Sequence, residues 1–281
     1  MEGGQRAQGS AAVEEVHRPV GPSRAPVTAS RVWKVGSRPN GYRVSLQSAP
    51  TPHLADAAAP WQRVLALSGV AFAALFLVGW FTNGGLTPHY TAPDQDWTDW
   101  ARDNQWRGRV SGFLMLLAGF VFLHFMGTIR SVLGRAESPA ASEQLARVAF
   151  GGALTGMAGI AMASVTLAAA STNGADVDPA VSKAVATAAS GPFLVAAMGF
   201  AAFLMAAGLL ALRTGVFARW TGIVAVIGAV SFPVAFLTVL DGTTDGSPFG
   251  YGFFPGIVAL VTWTVATSIS TYRSTAGAAE S

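Results

Sequence analysis

Apolar and polar positions in this chain segregate by whole segments rather than by single residues. Six apolar stretches stand apart: Trp61–Phe81, Val110–Ile129, Val148–Ala170, Pro192–Leu212, Trp220–Leu240 and Phe249–Ile269. A hydrocarbon core of about 30 Å needs about 20 mostly apolar residues in a helix rising about 1.5 Å per residue. Each stretch meets that length, so the pattern predicts an all-α, six-helix transmembrane bundle whose solvent is lipid. Composition agrees: 51% of the 281 residues are hydrophobic and 12% are charged, about half the charged share of a soluble domain. The expected organisation is a tail over 1–59, a membrane domain over 60–273 and a short C-terminal tail over 274–281.

The connecting pieces add detail. Met1–Ala59 is rich in Pro, Gly, Ser and Arg, carries no apolar period and reads as a disordered basic tail. In the long connection after the first span, Asp96–Asp103 has helical character. Trp97 and Trp100 are three apart and share a face, so a short interfacial helix on the outer leaflet, Trp side down, is expected. Asp178 followed by Pro179 is a helix start signal, and that helix is expected to run into the fourth span with a kink at Pro192, which cannot donate to Ala188. Pro233 does the same to the carbonyl of Ala229 in the fifth span, with Ser231 near enough in sequence to help satisfy it.

Charge supplies orientation. With the tail placed inside, only Arg102, Arg107, Arg109 and Lys183 of the 18 basic residues fall outside, and cytoplasmic loops collect Lys and Arg. Both termini are therefore expected in the cytoplasm of a bacterial inner membrane. Trp61 and Trp220 fall at the proposed inner interface and Trp80 and Tyr251 at the outer one, where amphipathic rings concentrate.

Inside the bilayer the informative residues are few. Gly152 and Gly156 form a small-xxx-small pair on the third span. Such a pair lets helix backbones approach closely, either against the Ala- and Gly-rich fourth span or across a homodimer face. His124 is the one ionisable residue well inside a span, about 9 Å from Arg130 along the helix. It is read as a neutral imidazole bonded to a hydroxyl such as Thr155, Thr221 or Thr267, with proton relay as the sharper alternative. Asp241 and Asp245 belong to an acidic outer rim that lacks the pattern of a cation loop. There is no Cys, which excludes thiolate metal sites, Fe–S clusters and a Cys nucleophile. The four His show no ligand spacing, so no metal and no cofactor are expected. Phosphate-loop, zincin, nucleophile-elbow and dinucleotide motifs are absent, and no basic-aromatic interleaving points to nucleic acid.

The loop Leu212-Arg213-Thr214-Gly215-Val216-Phe217-Ala218-Arg219-Trp220-Thr221-Gly222 resembles a pattern in uncharacterised polytopic membrane proteins of high-GC bacteria, Leu-Arg-x-Gly-x-Leu-Pro-Arg-Trp-Leu-Gly. Phe217, Ala218 and Thr221 depart from it. The stretch Trp97–Ala136 is similar as well. The resemblance spans roughly Trp61–Tyr272 and implies a multi-helix membrane domain without an assigned activity, so it carries over no catalytic residue. Three functional classes remain: a non-catalytic interaction or regulatory module with the bilayer and a second copy or another membrane protein as partner; a small-solute permease built on helices kinked at Pro192 and Pro233; and a membrane-embedded enzyme. Scarce intramembrane ionisable groups and the absence of a visible internal repeat favour the first.

Overall fold

The computed structural model of the chain describes residues 60–82, 87–89, 91–137, 144–237 and 253–277, all within one unit, Pro52–Ser281. The tail 1–59, residues 278–281, Asp241, Asp245 and Tyr251 lie outside the described residues. Every described element is a helix: α1 (Pro60–Thr82), α2 (Asp94–Ala136), α3 (Gln144–Asn173), α4 (Pro179–Ala188), α5 (Ser190–Thr214), α6 (Arg219–Phe236) and α7 (Phe253–Gly277). Six spans are long and apolar enough to cross a membrane, with α4 and α5 forming one of them.

Local chemistry explains where these helices start and stop. Asp178 accepts a bond from Ala180 N at 2.9 Å and Pro179 opens α4, as the sequence predicts. The interruption between α4 and α5 falls at Ala189, not at Pro192 itself. Pro192 lacks an N–H and its ring crowds the carbonyl of residue i−4, so the ladder fails one turn before the proline. α5 ends at Gly215, whose φ of 66° closes a left-handed cap with its N–H on Ala211 O at 3.0 Å. Pro233 sits inside α6, and Ser231 Oγ donates to Ile227 O at 2.9 Å, the carbonyl four residues back, rather than to Ala229.

The largest departure from expectation is α2. The separate short helix expected over Asp96–Asp103 is not formed. Asp94–Ala136 is one helix of 43 residues, about 64 Å long, or twice the hydrocarbon thickness. No proline interrupts it, and its first turns bury their Trp face in protein instead of lipid. Trp97 and Trp100 pack near Ala170, Ala186, Leu167 and Ala189 of the α3–α5 segment, while Trp106 remains exposed. Gly108 and Gly112 make room for the approach of α3, where Ser171 and Ala168 sit. Lys183 on α4 completes the joint, 3.1 Å from Asp94 Oδ1 and donating to Ala92 O at 2.9 Å.

The spans pack as a closed ring in the order α1, α2, α3, α5, α6, α7. Rings of another kind fill its centre. Phe122 lies 4.5 Å from Phe72, 5.8 Å from Phe125, 6.4 Å from Phe200 and 6.1 Å from Phe203, centroid to centroid. Trp263 stands edge-on to Phe203 at 5.1 Å, and Phe232 links Phe200 to Phe253. Phe122 meets Phe200 and Phe203 edge-to-face, as Trp263 meets Phe203 and Phe232 meets Phe253, while the other pairs are tilted; the edge-to-face pairs suit the aromatic quadrupole. Two hydroxyls tie α1 into the ring: Ser111 Oγ donates to Gly79 O at 2.8 Å and Ser268 Oγ to Ala66 O.

The tightest seam is α3 against α5. A methyl group at Gly152 would lie 2.6 Å from Phe203 N, and one at Gly159 2.6 Å from Ala196 N and from Pro192 O. One at Gly156 would meet the Phe200 ring at 2.6 Å, and Gly199 is closed by the backbone of Gly152 and Gly156. The small-residue pair is thus consumed inside the bundle, where close backbone approach supplies the dispersion that holds helices together in lipid.

Candidate functional site

The buried polar side chains among the described residues are all neutral Thr, Ser or Asn, so the chemistry-bearing groups lie at the ends and on the outer wall of the ring. The most developed cluster is at the C-terminal end of α2. His124, Thr128, Ser131 and Arg135 recur at i, i+4, i+7 and i+11 and form one stripe about 16 Å long. Each is bonded along its own helix. His124 Nδ1 is 3.0 Å from Phe120 O, Thr128 Oγ1 donates to His124 O at 3.3 Å, Ser131 Oγ to Gly127 O at 3.1 Å, and Arg135 Nε to Ser131 O at 3.1 Å. A carbonyl oxygen only accepts, so His124 Nδ1 carries the hydrogen and Nε2 is left open.

This stripe forms one wall of an open cavity of about 1170 Å³, lined also by Trp61 and Leu65 of α1, Phe150 of α3 and Thr271 and Thr275 of α7. Trp61 near the start of α1 and Thr275 near the end of α7 meet here, so both ends of the membrane domain lie on one side of the bundle. Arg130 places its guanidinium 5.0 Å from the Phe150 centroid, a cation–π contact. Glu137 lines the cavity too, and its two carboxylate oxygens accept from Leu145 N and Ala146 N, both at 3.1 Å. It thereby caps the positive end of α3. Among the described residues neither Arg130 nor Arg135 has a carboxylate partner.

The structure does not bring the other sequence candidates to His124. Thr155 is exposed on α3 and donates to Gly151 O, Thr221 donates to Ala218 O, and Thr267 to Trp263 O. The expected imidazole–hydroxyl bond is replaced by bonds to each residue's own helix. In a helix, a Ser, Thr or His side chain reaches a carbonyl one turn back without help from a neighbour. Thr221 instead lines a second cavity of about 750 Å³ between α6 and α7, with Trp220 and Arg273. The Trp263 indole N–H and the Thr264 hydroxyl are buried without a hydrogen-bond partner among the described residues. No group of three or more His, Asp or Glu is placed to hold a metal among the described residues. The residues missed in sequence were Thr128, Ser131 and Arg135. Their helical spacing from His124 was the available signal.

Architecture and site together define a multi-pass membrane protein. No family model, curated protein or solved structure matches the chain.

Proposed function

We propose that this chain is a non-catalytic membrane module that packs with or regulates a partner in the bilayer, with the Arg130 end and both termini in the cytoplasm of a bacterial inner membrane. One observation carries the reading: the centre of the ring is plugged by Phe72, Phe76, Phe122, Phe200, Phe203 and Trp263, all at 1% exposure or less. A permease needs a polar or hydrated route near the bilayer midplane, and an intramembrane enzyme or proton relay needs ionisable groups facing the interior. The described interior holds no ionisable side chain, and its polar groups are Thr, Ser and Asn side chains packed at 8% exposure or less. The docked segment of α2, α3 and α4, with exposed Trp106 and Asp99, supplies a surface for contacts at the opposite end.

The test is solute flux. In vesicles reconstituted with the full chain, osmotic swelling in glycerol, urea and small sugars is expected to match protein-free vesicles. Faster swelling with any of them would install the permease reading. Orientation is open to a separate measurement, because the chain has no Cys. With Asp176→Cys and Thr214→Cys as single labels, a membrane-impermeant maleimide is expected to react with the first on intact cells and with the second only after lysis. The reverse order would invert the topology.

A further inference from the structure

We propose that the cavity around the last turns of α2 seats the headgroup of an anionic, hydroxyl-bearing phospholipid, with Arg130 and Arg135 holding its phosphate beside Trp61. The proposal does not depend on the module reading.

Three features of the cavity point the same way. The first is charge. Arg130 and Arg135 both line it, and the one carboxylate among its lining residues, Glu137, is committed to the backbone of α3. Arg135 spends only Nε on Ser131 O, which leaves its terminal nitrogens open. A guanidinium fork matches two phosphate oxygens, and basic pockets between transmembrane helices are where anionic headgroups bind.

The second feature is polarity by depth. Leu65 and Leu123 line the cavity alongside the arginines, so an amphiphile fits and a free ion leaves the apolar part unfilled. Gly127 also lines it, and a methyl group there would meet nothing within 4 Å; that missing side chain is part of what makes the groove. Trp61 is 60% exposed, with an indole suited to headgroup depth.

The third is the direction of the wall's hydrogen bonds. The hydroxyl hydrogens of Thr128 and Ser131 are committed to helix carbonyls. What those oxygens present to the groove is lone pairs, which accept from a headgroup hydroxyl. A phosphoglycerol headgroup supplies both the acceptor for the arginines and the donors for this wall.

The experiment is native mass spectrometry of the full chain released from micelles containing equal phosphatidylglycerol and phosphatidylcholine. Wild type is expected to retain phosphatidylglycerol in preference. Arg130→Gln/Arg135→Gln is expected to weaken that retention by roughly fivefold per arginine removed. Gly127→Leu, which keeps both charges and whose Cβ meets nothing within 4 Å, is expected to lower it as well while leaving thermal unfolding unchanged, so a folding defect in the double variant does not blunt the test. Arg213→Gln/Arg219→Gln removes equal charge elsewhere and is expected to retain lipid like wild type. Equal retention of the two lipids overturns the proposal. So does full retention by Gly127→Leu, or equal loss in the Arg213/Arg219 control, which would indicate diffuse charge attraction. Retention abolished by millimolar inorganic phosphate would reassign the cavity to a free anion.

Discussion

Gly199→Leu is expected to abolish the monodisperse folded protein, whereas Gly151→Leu is expected to leave it intact. At position 199 the first side-chain atom already meets the backbone of Gly152 and Gly156 on α3. Backbone cannot rotate out of the way as a side chain does. Relief therefore requires α3 and α5 to separate along the seam that includes Gly152, Gly156 and Gly159. Overpacking commonly costs about 1–3 kcal/mol where side chains can yield, and with backbone on both sides about 3 kcal/mol or more is expected here. At Gly151 a methyl group meets nothing within 4 Å and a leucine there joins the lipid. Thermal unfolding in dodecyl maltoside, read beside size-exclusion profiles, separates the two. Gly152→Leu belongs with Gly199→Leu. If it left unfolding unchanged and removed only a dimer peak, the small-residue stripe would be a contact between copies.

Phe122→Ala is expected to destabilise the bundle by about 2–3 kcal/mol. The reasoning differs from that for a soluble core. The unfolded reference in a bilayer still holds the phenyl ring in hydrocarbon, so transfer from water contributes little. What remains is the hole. Removing about 100 Å³ at about 24 cal/mol per Å³ of cavity gives the figure. Phe122 touches rings from α1, α2 and α5, so the void opens at the centre, where the surrounding helices cannot collapse into it without breaking the ring. A matched truncation at Phe113, which is exposed on the same helix, is expected to cost far less. Similar losses at the two positions in a denaturant titration would mean that the aromatic plug is not what holds the ring closed.

The spans were legible because hydropathy is a property of each residue summed over a window, and lipid demands nothing subtler. The Asp178–Pro179 start was legible for the same reason: a cap is a local bond that needs no distant partner. The interruption near Pro192 was anticipated in kind and misplaced by one turn, since a proline disrupts the carbonyl behind it. The polar stripe on α2 was visible as spacing, but its meaning was not. Helical period puts His124, Thr128, Ser131 and Arg135 on one face, and nothing local says whether that face meets a neighbouring helix or opens on a cavity.

Asp94–Arg109 shows the limit most clearly. Its alternation of Trp and Asp suits a helix lying on a membrane as well as the first turns of a long span, and only the docking of α3 and α4 onto Trp97 and Trp100 distinguishes them. Gly151 and Gly152 make the same point within two residues. Identical in chemistry and about 100° apart around α3, one faces open space and the other the backbone of α5. Residue character is enough to say that a segment enters lipid and where a local bond will cap it. Which neighbour a helix face meets depends on how whole helices are arranged around it, and that arrangement is a joint outcome of all six spans.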